Sequence, residues 1–121
     1  MTEDDALAFA TASIRSVWAL EMLLTLKRNP DRPWTVDALI LELRSSQVGV
    51  NEALANLRAA GLASEDNPGQ FQYRAASPEL DELATALEKI YAIKPMAVIR
   101  AVVSGPSDKL RIFSDAFKFK D

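Results

Sequence analysis

The stretch VGVNEALANLRAAGLASEDNPGQFQY, residues 48–73, decides the fold. Its first part repeats apolar residues at three- and four-residue steps, the spacing of a helix with one buried face. Gly61 follows where a left-handed cap is expected to end that helix. LASED and FQYRA are typical of strands, and Asn67 to Gln70 between them supplies turn residues. The stretch therefore predicts a helix over about 48–60 and then a β-hairpin.

The flanking sequence predicts further helices. A long apolar one covers residues 13–27, and an earlier start at Thr2 is also compatible with TEDD as a cap. NPDRP ends it because proline cannot continue the backbone ladder, and Trp34 begins a very short extended stretch. Thr35 caps the next helix, and Ser77-Pro78 and Pro95 open two more. With a last helix in KLRIFSDAFKF, the sequence predicts a mainly α fold with a small β-hairpin.

The order helix, helix, helix, hairpin over residues 13–76 resembles the winged-helix regulators of bacteria. VNEALANLRAAGLASEDNPGQFQYRA carries the likeness, and PSDKLRIFSDAFKFKD is similar to the ends of small uncharacterised bacterial proteins with a winged-helix core. The resemblance implies a winged-helix core over 1–76, with its wing near 62–76. It also implies a C-terminal helical extension over 77–121 that forms one compact unit with the core.

The resemblance also implies contact between the third helix and the major groove of double-stranded DNA. Amides pair with adenine edges and arginines reach phosphate or guanine, whereas Glu52 points to where DNA is most negative. Ser46 has a second interpretation, which we favour, as the cap of the third helix. The candidate DNA contacts are Ser46, Gln47, Asn51, Glu52, Asn56, Arg58 and Arg74.

The charge distribution opposes this function. The formal net charge is −3, yet residues 1–88 hold 7 basic and 14 acidic side chains, while residues 89–121 hold 7 basic and 3 acidic ones. Phosphate neutralisation supplies most non-specific affinity for DNA. The first hypothesis is a DNA-binding transcriptional regulator that acts as a dimer. The alternative is a winged-helix protein-interaction module in which Val48, Ala55 and Ala59 pack against another protein.

The C-terminal part carries two apolar stripes beyond the needs of a small three-helix core. Either they fold back and complete the monomer, or they form a two-fold homodimer interface, which we favour because such dimers are the commonest oligomers. The candidate interface residues are Leu83, Leu87, Ile90, Tyr91, Phe113 and Phe117.

Composition argues against several other classes. The chain has no cysteine and no histidine, and its four glycines are scattered at turns. It therefore lacks thiol chemistry, the commonest metal ligand and a phosphate-cradling loop, so we expect no enzyme, no cofactor and no metal site. No apolar run is long enough to span a membrane, and the acidic MTEDD does not start a secretory signal. A cytoplasmic protein is expected.

Overall fold

The computed structural model describes residues 2–104, which form six helices and one hairpin. The prediction of a mainly α fold with a small β-hairpin is confirmed. The elements are α1 (Glu3–Ser13), α2 (Val17–Arg28), α3 (Val36–Leu43), α4 (Gln47–Ala59), β1 (Ala63–Asn67), β2 (Gln70–Tyr73), α5 (Pro78–Ile93) and α6 (Pro95–Ser104). The last predicted helix, in KLRIFSDAFKF, lies outside the described residues.

Hydroxyl side chains start five of these helices. Each accepts a hydrogen bond from a backbone N–H of the first turn, which would otherwise lack a partner inside the helix. At Thr2 the bond is reciprocal, because Asp5 also accepts from the backbone N–H of Thr2. The five capping residues are Thr2, Ser16, Thr35, Ser46 and Ser77. The caps predicted at Thr2, Thr35 and Ser77 are thus confirmed.

The helix predicted over residues 13–27 begins later, as α2 (Val17–Arg28), and the earlier start at Thr2 belongs to a separate helix, α1 (Glu3–Ser13). Ile14 leaves helical conformation with φ −104° and ψ 117°, and Ser16 caps a new helix by accepting from the N–H of Ala19 at 3.0 Å. The directions of α1 and α2 differ by 117° at this corner. The apolar spacing continues through the corner, which is why periodicity alone did not show the break.

Residues 17–73 run in the order helix, short strand, helix, helix and hairpin. Trp34 is the short strand: its N–H donates to the carbonyl of Phe71 at 2.7 Å, and the Phe71 N–H donates back at 2.8 Å. The strand order is therefore Trp34, β2, β1. In the hairpin Asn67 pairs with Gln70, and Gly69 between them adopts φ 76°, which explains the glycine in this turn.

The core surrounds α2, as its many apolar positions predicted. Leu20, Met22, Leu23 and Leu26 are fully buried, and Trp34 closes the core under the hairpin. Among residues 2–104 no single helix is long and apolar enough to cross a membrane; α1 and α2 pass that test only as a pair bent at their corner.

The second layer consists of α1, α5 and α6, which pack against one another. Polar contacts join this layer to itself and to α2: Lys94 pairs with Glu3 at 3.0 Å, and the Tyr91 hydroxyl donates to Glu21 at 2.7 Å. The N-terminal helix and the helices after the hairpin therefore belong to one packed unit.

This packing corrects the predicted dimer interface. Leu87 has no exposed surface within a single chain, so its assignment to an interface between chains is wrong. Leu83, Ile90 and Tyr91 are partly buried against the same core. They contribute to the core of the monomer and keep part of their surface exposed, so their role in an interface between chains stays a prediction. Phe113 and Phe117 lie outside the described residues, and the homodimer stays a prediction.

Candidate interaction face of α4 and the hairpin

Helix α4 buries one side and presents the other to solvent. Val50, Ala53, Leu54 and Leu57 are buried, as the helical spacing predicted. The opposite side carries Val48, Glu52, Ala55 and Ala59, all exposed, at steps of four, three and four residues. We call these four residues the α4 face. Val48 exposes 67% of its surface, and other large apolar residues elsewhere on the chain are exposed to a similar degree, such as Leu41 at 80% and Ile93 at 77%.

The N-terminal part of α4, with its cap, holds three of the predicted DNA contacts. The Ser46 hydroxyl accepts from the N–H of Gly49 at 3.0 Å, so it serves as the cap of the helix, the role favoured by its place in the sequence. Gln47 and Asn51 are exposed, and within residues 2–104 neither side chain makes a hydrogen bond to the protein. These two amides are available to a partner.

Asn56 has a different role from the predicted one. Its Oδ1 accepts from the backbone N–H of Arg15 at 2.9 Å, and its Nδ2 donates to the carbonyl of Ser13 at 2.8 Å. The amide thus satisfies two backbone groups at the α1–α2 corner, where neither helix supplies a partner. Because both ends of the amide are engaged, the assignment of Asn56 as a base-reading residue is wrong. A helical wheel could not show this, since the partners lie more than 40 residues earlier in the chain.

Arg58, near the end of α4, is paired with the hairpin. Its guanidinium lies 3.4 Å from Oε1 of Glu65 and 5.8 Å from the ring centroid of Phe71. The other carboxylate oxygen of Glu65 accepts from the N–H of Gly69 at 2.8 Å. One carboxylate therefore holds both the turn of the hairpin and the arginine of the helix.

Arg74 is paired in the same manner. Its Nη2 lies 2.7 Å from Oδ2 of Asp66, and its Nε donates to the Ser64 hydroxyl, which in turn donates to Oδ1 of Asp66. The hydrogen bonds from Arg74 and then Ser64 lower the pKa of Asp66 below its ordinary value. The carboxylate thus stays ionised at neutral pH and opposes the charge of Arg74.

These contacts leave the candidate site without a free cation among the residues predicted to touch DNA. Both arginines face acids, and Glu52 is exposed on the α4 face with no cation paired to it in the described part of the chain. Sequence counting gave a deficit of basic residues; the structure adds that the two relevant cations are already paired. No spacing in the sequence identifies Glu65 and Asp66 as their partners.

Within residues 2–104 no group of three or more histidine, cysteine, aspartate or glutamate side chains is arranged to hold a metal ion. Comparisons of the chain with protein families, with curated proteins and with solved structures found no match.

Proposed function

We propose that this chain is a cytoplasmic winged-helix protein-interaction module that binds another protein through the α4 face and does not bind duplex DNA directly. The observation that carries the proposal is the pairing of Arg58 with Glu65 and of Arg74 with Asp66. With Asn56 also engaged inside the chain, the face left for a partner is apolar and acidic.

The electrostatic argument weighs against duplex DNA. Each phosphate that a protein neutralises contributes about 0.9 to the slope of log affinity against log salt, and this counterion release supplies essentially all non-specific binding. An arginine that already faces a carboxylate neutralises little phosphate charge, so few counterions leave the duplex. The exposed Glu52 also repels the phosphate backbone. A duplex would gain little from docking here.

The α4 face has the chemistry of a site for an amphipathic helix. Its four residues form one stripe along α4, and apolar residues at such steps are the anchors by which a helix packs on another. Val48 and Ala55 offer apolar contact, while Glu52 between them calls for lysine or arginine on the partner. The proposed partner is therefore a protein helix with an apolar stripe and basic residues beside it.

A charge reversal separates the two functions. Glu52→Lys is expected to lower the affinity for a basic protein partner about 10-fold or more, since like charges then oppose each other across the interface. The same substitution should strengthen DNA binding. Glu82→Lys, on the exposed side of α5, makes the same change in net charge away from the α4 face and serves as the control.

The partner can be identified by placing a photo-crosslinking amino acid at Val48 in cells, with a second chain labelled at Glu82. We expect the Val48 label to join a protein segment rich in apolar and basic residues, and Glu52→Lys to reduce that adduct. Adducts to nucleic acid at Val48, or adducts that Glu52→Lys leaves unchanged, would overturn the proposal.

The DNA-binding dimer is the second candidate. The exposed amides of Gln47 and Asn51 favour it, because an amide can read an adenine edge bidentately. This candidate requires that the wild-type protein retard mixed-sequence duplex fragments in a gel at low salt, and that Asn51→Ala weaken this binding. Light scattering gives the molar mass and so tests the homodimer separately.

A further inference from the structure

Two successive acids of β1 face the two arginines of the candidate interaction face. Glu65 meets Arg58 from α4, and Asp66 meets Arg74 just after β2. The arginine side chains nevertheless remain 50% and 60% exposed, so a phosphate group arriving from solvent could reach them. The acids of the hairpin therefore govern how strongly Arg58 and Arg74 can bind an anion from solvent.

We propose that Glu65 and Asp66 are specificity residues that exclude nucleic acid from this face. A carboxylate and a phosphate bind a guanidinium in the same way, through charge-assisted hydrogen bonds from its N–H groups. The two acids occupy the positions that phosphate oxygens would take, and their charges repel an approaching backbone. The chain thus has latent affinity for nucleic acid that its own hairpin suppresses.

Further hydrogen bonds hold both carboxylates in place. Glu65 accepts from the N–H of Gly69 at 2.8 Å, and Asp66 accepts from the Ser64 hydroxyl at 3.0 Å. A free exposed ion pair is weak because two long side chains must lose rotamer freedom to form it. Here the carboxylate of each pair is already ordered, so only the arginine loses rotamer freedom when the pair forms.

This inference rests on the part of the proposed function that denies DNA binding; the wild-type protein's own affinity for duplex tests that part, and the variants test the role of the two acids. Glu65→Gln and Asp66→Asn keep the oxygen that accepts from Gly69 or Ser64 while removing the charge. The double variant E65Q/D66N is expected to bind a short mixed-sequence duplex at least about 10-fold more tightly than the wild type in about 50 mM salt. Two additional phosphate contacts steepen the salt slope by about 1.8, so a 10-fold gain at about 50 mM salt should be lost by about 200 mM.

Two controls identify the cause. D4N/E82Q makes the same change in net charge at exposed positions of α1 and α5 and should show no comparable gain. Adding R58A/R74A to the E65Q/D66N variant should abolish the gain.

The proposal fails if the folded double variant binds no better than the wild type, or if D4N/E82Q gains as much. It also fails if the gain survives loss of both arginines. Circular dichroism establishes folding, and the single variants E65Q and D66N, each expected to show part of the gain, decide the matter if the double variant does not fold.

Discussion

Replacing Asn56 by alanine tests the junction between α4 and the α1–α2 corner. The substitution removes one hydrogen bond from the N–H of Arg15 and one to the carbonyl of Ser13. Each is worth about 1 kcal/mol net, which gives about 2 kcal/mol for the pair. Alanine recovers about 0.6 kcal/mol because it is the better helix former. The expected loss of unfolding free energy is therefore about 1.4 kcal/mol.

Asn51→Ala is the matched control, since Asn51 lies in the same helix and its amide makes no hydrogen bond within the described residues. It should gain the same helix propensity and lose nothing, so the two variants should differ by about 2 kcal/mol. Urea denaturation followed by far-UV circular dichroism measures both. If Asn56→Ala is as stable as Asn51→Ala, the corner groups are satisfied by water and the junction has no energetic role.

Three further changes test the packing, the turn and the hairpin. Leu87→Ala should cost about 2–5 kcal/mol of unfolding free energy because Leu87 is fully buried. Val103→Ala, at an exposed position, should cost under about 0.5 kcal/mol. Equal effects of the two changes in denaturant titrations would contradict the assigned core. Arg44→Gly should raise the melting temperature or leave it unchanged, since Arg44 adopts φ 52°, where glycine has no steric cost; a lower melting temperature would show that its side chain stabilises the turn. The pKa of Asp66 is lower in the folded protein than its ordinary value of 3.8, so its ionised form stabilises the fold at pH values above 3.8, and that stability is lost as pH falls through the lower folded pKa. Asp66→Asn should therefore flatten the acid side of the stability curve. An unchanged curve would deny the pairing with Arg74.

Local signals in the sequence predicted most of the fold. Thr35 and Ser77 cap helices, Gly61 adopts a positive φ after α4, and Pro68-Gly69 forms the turn of the hairpin, all within a few residues of the signal. The error at the α1–α2 corner arose because apolar periodicity reports which residues are buried and does not report the direction of the helix axis.

The candidate site was less predictable because its decisive contacts are not local. The wheel correctly separated buried Leu54 from exposed Val48, since that depends on helical period alone. The roles of Asn56 and Arg58 depend on the corner and the hairpin that the fold brings to them. A polar residue on an outward helix position has no assigned partner until the neighbouring elements are placed.

Not every charge at this face is equally available to a partner. A count of basic and acidic residues treats every charge as equally available. Arg74 with Asp66 at 2.7 Å presents almost no net charge to a distant phosphate, while Glu52, which has no cation beside it within residues 2–104, presents a full one. Exposed ion pairs contribute only about 0–1 kcal/mol, so these arginines are not locked, and a sufficiently strong anion could displace the acids. Under the proposed function, exclusion of DNA depends on repulsion by Glu52, Glu65 and Asp66 together as much as on the pairing itself. For that reason neutralising the hairpin acids should have a larger effect on DNA binding than on the stability of the fold.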